Sequence, residues 1–383
     1  MRLSSKRIDL VKLHPLTNSR GTIHGSTNLV VSVEHHGHDG IVRQVGHDGI
    51  VGLGEMAPID NTGATAVMGE TGVTGVASDT LELAEAAVAG WNVLLGALAP
   101  TELQRMEQIL GPVGRGDSAV RAALDMACWD WIGKHTGLPT WQLLGVDRDR
   151  AVPTSLTIGM DSVDVIRAKV PEVLARTGAR VLKVKLGSPE GFEADQAMFA
   201  AAQESAQAAG FRPSWRVDVD GGWHALVAQE MIPWLADRGV SSVEQPLAEG
   251  DEDALLGLYR NSELPIFADE SIHNAADVAC FADRIHGVSL KLMRCGGISG
   301  ALAIIHTARA HGLAVAIGCA GESSLAISAA AALGGLADQL DLDSNLNLRN
   351  DPFVGAVLVE GRVLANDLPG LGVRVSASTS PFQ

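Results

Sequence analysis

Cysteine, aromatic residues and basic charge are all in short supply in this sequence. The 383 residues include four cysteines, Cys128, Cys280, Cys295 and Cys319, and no two form a Cys-x-x-Cys pair. That spacing gives no support to a zinc or thioredoxin-like site. Four thiols are also too few for a disulfide scaffold at this length, so they are expected to be inert, small apolar side chains. Lys and Arg number 29 against 45 Asp and Glu, a formal net charge of −16. A chain this acidic lacks the clustered cations that phosphate contacts require, so no nucleic-acid partner is expected. Anionic membrane surfaces should repel it. Long hydrophobic runs are missing too. The nearest, around Ala326 to Ala337, is mostly Ala and Gly; it reads as a packed helix, shorter than the roughly 20 residues that cross a bilayer. The opening Met1-Arg2-Leu3-Ser4-Ser5-Lys6-Arg7-Ile8-Asp9 has no apolar signal-peptide core. A cytoplasmic protein with no membrane partner is the expectation.

What is present is a substantial core. Apolar residues make up 46% and charged residues 19%, which excludes disorder. The length allows two or three domains, or one large barrel with an accessory domain. The first 60 residues carry β-branched runs, Ile8-Asp9-Leu10-Val11 and Leu29 to Val33, bounded by Pro, Asn and Gly. Within them Gly-His-Asp-Gly-Ile-Val occurs twice, at Gly37 to Val42 and at Gly46 to Val51. Asp-Gly before an apolar pair is a hairpin-turn signal, so a lengthened hairpin is expected. A metal site from His35, His36, His38 and His47 is the competing reading; it has no acidic or Cys partner at ligand spacing. From about Asp79 to Lys134 the apolar period is helical, and a Gly-Leu-Pro stop follows.

After that the chain alternates between short apolar strands and Ala-rich helices. The strands are expected at Pro153–Ile158, Val181–Leu186, Ser214–Val219, Ser242–Glu244, Ile266–Ala268, Gly287–Leu292, Leu313–Ile317 and Leu340–Leu342. Eight such units fit an α/β fold of the (β/α)₈ barrel type. A doubly wound nucleotide-binding fold would want Gly-x-Gly-x-x-Gly after an early strand. Gly52-Leu53-Gly54-Glu55 breaks that pattern.

Barrels of this type keep their chemistry at the C-terminal strand ends. The second strand carries Lys183 and Lys185 on one face, the third ends at Asp218 and Asp220, the fourth at Glu244 and the fifth at Asp269. The sixth ends at Lys291, the seventh is followed by Cys319 and Glu322, and the eighth carries Asp341 and Asp343. Asp218, Glu244 and Asp269 lie 26 and 25 residues apart, one βα unit each, so they should converge. Three carboxylates without His or Cys suit a hard cation, Mg²⁺ rather than Zn²⁺. Lysines on both sides would face each other over a ligand at that ion. Adjacent like charges on Lys183 and Lys185 should repel and lower a pKa toward that of a base. Such a site suits proton abstraction α to a carboxylate through an enediolate, with a base on each face. That is 1,1-proton transfer. Asp341 and Asp343 suit an ammonium roughly 6–7 Å along an extended chain, which is the shape of a dipeptide.

These residues resemble the enolase superfamily, muconate-lactonising branch, and within it the dipeptide epimerases of the L-Ala-D/L-Glu epimerase type. The resemblance covers nearly the whole chain. It is carried by Ala122-Ala123-Leu124-Asp125-Met126-Ala127-Cys128-Trp129-Asp130 with Gly133-Lys134 and Leu143-Leu144-Gly145, and by Lys183-Val184-Lys185. It continues through Asp218 with Gly221-Gly222-Trp223, Glu244-Gln245-Pro246, Asp269-Glu270-Ser271, Lys291 with Gly296-Gly297, and Asp341-Leu342-Asp343. It implies an α+β capping domain over 1–120, the barrel over 121–345, and a tail over 346–383 that packs back on the cap. It implies Lys185 and Lys291 as acid/base groups assisted by Lys183, and one Mg²⁺ per subunit on Asp218, Glu244 and Asp269. Superfamily members pair a Lys or His base with one or two Mg²⁺ ions. Asp341, Asp343, Thr157, Cys319 and Arg20 would bind the substrate, a small molecule, and a homo-oligomer is implied. An N-acylamino acid racemase or a muconate-type cycloisomerase of the same superfamily is the alternative. Two departures stand out. Asp220 stands where Asn is usual, and Ala320-Gly321 replaces larger apolar residues, which should widen the pocket.

Overall fold

In a computed structural model the chain is described over residues 1–35, 49–59, 68–69, 72–73 and 76–376. Most of the duplicated Gly-His-Asp-Gly-Ile-Val segment, with His36, His38 and His47, falls outside the described residues.

The chain opens with a three-stranded antiparallel sheet in the order β1 (Arg2–Asn18), β2 (Gly21–Glu34), β3 (Val51–Met56). Alternation decides which face is inside: Ile8, Leu10 and Lys12 point inward from β1, while Asp9, Val11 and Leu13 point out. A short ribbon, β4 (Met68–Gly69) and β5 (Gly72–Val73), precedes three helices: α1 (Val76–Leu94), α2 (Leu103–Leu110) and α3 (Ser118–Thr136). α3 is closed by Gly137 in the left-handed conformation, φ 73°, where the sequence puts its Gly-Leu-Pro stop. Strand β3 lies almost in contact with α3. A Cβ added at Gly52 would fall 2.0 Å from the Ala127 carbonyl oxygen, and one at Gly54 would fall 2.0 Å from that of Ala123. The Gly-x-Gly of this incomplete dinucleotide fingerprint is therefore there for close packing.

A one-turn helix, α4 (Thr140–Leu143), leads into eight parallel strands in sequential order. They are β6 (Ser155–Ile158), β7 (Val181–Lys185), β8 (Ser214–Asp218), β9 (Val240–Glu244), β10 (Ile266–Ala268), β11 (Gly287–Lys291), β12 (Ala314–Gly318) and β13 (Gln339–Asp341). A bridge from Thr154 to Leu340 joins the last strand to the first and closes the barrel. The helices are α5 (Val163–Thr177), α6 (Phe192–Ala208), α7 (Ala225–Ala236), α8 (Leu255–Asn261), α9 (Ala275–Phe281), α10 (Leu292–Cys295), α11 (Ile298–Ala310) and α12 (Ser324–Ala331). All eight expected strands are found, displaced by at most two residues at either end.

Register sets the level of each strand end. Lys185 pairs with Asp218 and Asp218 with Glu244, so three charged residues stand side by side on β7, β8 and β9. Lys291, Gly318 and Asp341 form a second row on β11, β12 and β13. β7 and β11 are four places apart in a ring of eight, which sets Lys185 and Lys291 across the mouth from each other.

The C-terminal segment runs over both parts. Arg349 donates its N–H to the Val11 carbonyl 2.8 Å away, and Asn350 accepts from the Val11 N–H at 2.8 Å. Farther on, Leu371 donates to Asp130 at 2.8 Å. Two small ribbons complete it: β14 (Phe353–Val354) with β17 (Arg374–Val375), and β15 (Val357–Val359) with β16 (Arg362–Leu364). Among the described residues no helix is long and apolar enough to cross a membrane, and all four thiols are free.

Candidate active site

The barrel mouth is built from charges that alternate with core residues along single strands. On β7, Lys183 and Lys185 point inward while Leu182 and Val184 face the core around the barrel; all five residues of the strand are buried. Lys183 Nζ lies 2.9 Å from Asp218 Oδ2 and 3.3 Å from Glu244 Oε2, and it ion-pairs with Asp341. Lys185 Nζ lies 2.7 Å from Asp218 Oδ2 and 2.9 Å from Asp220 Oδ1. Across the mouth, Asp269 is paired with both Lys291 and Arg294. Arg294 follows Lys291 by three residues on the short helix α10, so both cations reach the same carboxylate. Arg294 is a site residue that sequence reasoning missed; its only signal is that i, i+3 spacing.

The electrostatics follow from this crowding. Burial disfavours both lysine ammonium groups, yet Asp218, Asp341 and Glu244 hold Lys183 well above its usual range, and Asp218 and Asp220 raise Lys185. The expected lowering by mutual repulsion is present between them, but the neighbouring carboxylates outweigh it. This corrects the sequence argument: like charges on one strand face decide nothing when opposite charges stand closer. Burial raises the Asp218 and Asp269 carboxyls, but the cations win and both are lowered. Glu244 goes the other way: burial, then repulsion from Asp218, pushes it up to about 8.

The structure brings Asp341 and Asp343 into the same network. Asp341 accepts from Ser155 Oγ at 2.7 Å and pairs with Lys183, one ion pair from Asp218. Asp343 accepts the Thr157 backbone N–H at 2.6 Å and has Cys319 Sγ 3.9 Å away. Burial and the charge of Asp341 push the Asp343 carboxyl up to about 6.

One cavity gathers these groups. Lys183, Lys185, Lys291, Arg294, Asp341, Asp343, Thr157 and Cys319 line it from the barrel. Leu16, Arg20, Ile23, Pro58 and Ile59 line it from the opposite side, contributed by the β1–β2 hairpin and the segment after β3. Arg20 sits at the hairpin tip, where its guanidinium is 3.0 Å from Glu270 Oε1 and donates to the Asp220 carbonyl at 3.2 Å. It is therefore already neutralised. Asp220 itself takes a left-handed backbone, φ 49°. Its Oδ2 is buried without a hydrogen-bond partner among the described residues.

A second cluster, unnoticed in the sequence, fixes the wall at 319–321. Glu55 on β3 is fully buried and accepts from Asn28 Nδ2 at 2.6 Å, from the Ser323 N–H at 3.0 Å and from the Ala326 N–H at 3.2 Å. It thus caps the start of α12 from the other part of the molecule. Asn28 and Ser26 both donate to the Gly321 carbonyl, at 2.7 and 3.1 Å. The signal was the Glu that ends Gly52-Leu53-Gly54-Glu55, a charge on an otherwise apolar strand.

The donor set also bears on a metal. Among the described residues no three carboxylate, imidazole or thiol groups are gathered at ligand distance as they stand. Asp218, Glu244 and Asp269 are turned to ammonium and guanidinium groups instead. Yet they occupy three successive strand ends, supply oxygen donors alone, and crowd one another enough to raise Glu244. A divalent cation shared by the three would relieve that repulsion, so the residues fit a hard ion.

Residues 165–379 match the enolase C-terminal domain-like family. The chain belongs to the enolase superfamily. A hydrophobic dipeptide epimerase from Roseobacter litoralis is 44% identical to it over 97% of this chain and 98% of the relative. A second hydrophobic dipeptide epimerase, from a Flavobacteria bacterium, is 41% identical over 97% of each chain. Among solved structures, the dipeptide epimerase from Enterococcus faecalis V583, complexed with Mg and the dipeptide L-Leu-L-Tyr, superposes with a TM-score of 0.81. It is 28% identical and covers 97% of this chain and 98% of its own.

Proposed function

We propose that this enolase-superfamily chain is a Mg²⁺-dependent dipeptide epimerase, an isomerase that inverts the α-carbon of the C-terminal residue. The observation that carries the reading is the pair of amines from opposite strands, Lys185 on β7 and Lys291 on β11, facing one cavity that also holds Asp341 and Asp343. A planar carbanion reprotonated from its far side changes configuration, and two amines across a cavity provide the two sides. One lysine takes the α-proton as a free amine, while the other, as ammonium, returns a proton to the opposite face. Lys183, between Asp218, Glu244 and Asp341, stays charged and steadies the enediolate. Asp341 and Asp343 receive the substrate ammonium and set which α-carbon reaches the lysines.

Asp218, Glu244 and Asp269 would hold the Mg²⁺. Bound there, the ion would stabilise charge on the substrate carboxylate and draw the three carboxylates away from their lysine partners. The apolar wall of Leu16, Ile23, Pro58 and Ile59 supports hydrophobic side chains, as the names of the relatives suggest. A cytoplasmic location is part of the same reading.

The test is proton exchange in D₂O with added Mg²⁺. A free L,L-dipeptide such as L-Leu-L-Leu should gain one deuteron at its C-terminal α-carbon and yield both stereoisomers. Exchange confined to N-acylated amino acids would favour the racemase alternative. No exchange in either set would remove the epimerase reading.

A further inference from the structure

Lys12 is a buried cation that the mechanism does not use. It extends the inward row of Ile8 and Leu10 on β1 and is 8% exposed. Among the described residues it has no ion-pair partner within 4 Å; its backbone bridges to Leu348, and the charged side chain nearest in effect is Asp343. Its side chain borders two hollows at once. One is the active-site cavity; the other lies beyond it and shares Lys12, Leu16, Thr157, Asp343 and Ser344 as a common wall. The outer hollow is basic. His14, Lys169 and Arg176 line it with Lys12, and Asp343 is its one carboxylate among the described residues.

We infer that Lys12 is a specificity-determining residue that screens the N-terminal side chain of the substrate. It admits acidic and neutral side chains to the outer hollow and excludes those of lysine and arginine. The inference rests on the dipeptide reading above. With the substrate ammonium at Asp341 and Asp343, the N-terminal side chain branches from the carbon that bears that ammonium. It must start beside Asp343, at the wall where Lys12 stands. A carboxylate or amide there meets the Lys12 ammonium, with no competing anion except Asp343 among the described residues. A second ammonium meets Lys12 first and then Lys169 and Arg176. Like charges a few ångströms apart repel, and Asp343, already taken by the substrate ammonium, is the one carboxylate among the described residues of the hollow that could offset it. The substrate class is therefore a dipeptide with an uncharged or acidic N-terminal residue.

The experiment compares kcat/KM for L-Glu-L-Leu, L-Gln-L-Leu and L-Lys-L-Leu, read as α-deuterium incorporation, in the full-length protein with Mg²⁺. Ratios taken within one variant cancel any change in folded fraction. The wild type should prefer L-Gln-L-Leu over L-Lys-L-Leu by tenfold or more, with L-Glu-L-Leu at least equal to L-Gln-L-Leu. In Lys12→Met the preference for Gln over Lys should shrink to about threefold or less; Lys12→Arg should keep it and Lys12→Glu should reverse it. The inference is overturned if the wild type turns over L-Lys-L-Leu as readily as L-Gln-L-Leu, or if Lys12→Met leaves the ratio unchanged. A wild type that exchanges dipeptides without charge preference contradicts only this inference. One that exchanges no dipeptide contradicts the epimerase reading itself.

Discussion

The two walls of the cavity are made in opposite ways. The barrel side is mostly charge: three lysines, Arg294 and the rim carboxylates, carried on the strands or just past their ends. The cap side, from β1 to the segment after β3, is half apolar, with Leu16, Ile23, Pro58 and Ile59; its two cations are the neutralised Arg20 and Lys12, which has no ion-pair partner among the described residues. The charges of the barrel side are held by register, because Lys185, Asp218 and Glu244 are hydrogen-bonded neighbours on adjacent strands. The cap side is held by a few long-range hydrogen bonds and by one close helix contact. On the proposed reading this divides the labour: the barrel side would do the chemistry, and the side hung from Glu55, Asn28 and Arg20 would select what enters.

That contrast can be broken most sharply on the barrel side. Lys185→Ala and Lys291→Ala should each lower turnover by about 10³-fold with the fold intact, since a positioned acid or base supplies about 10²–10⁴. Circular dichroism and exchange kinetics check the pair together, and chelation of Mg²⁺ should give the same loss, reversed by adding the ion back. The next effect falls on the seam. Gly54→Ala forces a Cβ to 2.0 Å from the Ala123 carbonyl oxygen, and overpacking of backbone on backbone should cost about 3 kcal/mol in urea melts.

A pH-dependent test lies where α3 meets α11. Burial pushes the Asp125 carboxyl up to about 6, against the hydrogen bonds from Ser299. A carboxyl raised on folding is better accommodated protonated. Its contribution is present in full below the unfolded value near 4 and is lost as pH rises through about 6. Asp125→Asn should flatten that decline, by about 2 kcal/mol between pH 4 and 7, measured as the difference in unfolding free energy from wild type. Smaller again is Asp343→Asn. It keeps the Thr157 contact and removes the charge, so KM for a free dipeptide should rise about tenfold. Least of all is Glu55→Gln, which turns an amide N–H toward the donors of Ser323 and Ala326. It should cost about 1 kcal/mol and raise KM more than it lowers kcat, because it loosens the wall at 319–321 and leaves the lysines in place.

The barrel side was nearly all legible in the sequence. A charge at the end of each apolar strand, one βα unit after another, needs only the period of the fold to become a site. Arg294 escaped because it lies on a helix past the strand, where strand alternation no longer applies. The cap side was legible as β-structure and little more. Lys12 follows the two-residue alternation of β1, but its inward direction shows only when Ile8 and Leu10 are known to be inside. Glu55 read as a broken nucleotide motif, because its partners Asn28, Ser323 and Ala326 lie 27, 268 and 271 residues away. The raised lysines follow for a related reason: the repulsion between Lys183 and Lys185 is legible from their spacing, but Asp341 reaches Lys183 only through the fold.

The most direct test of the central claim is single-turnover exchange with each stereoisomer of the dipeptide, L-Leu-L-Leu and L-Leu-D-Leu, in D₂O with Mg²⁺. The account predicts that Lys185→Ala abolishes exchange from one configuration while keeping some from the other, and that Lys291→Ala does the reverse. Loss of both in either variant to the same extent, or of neither, would contradict a two-sided site.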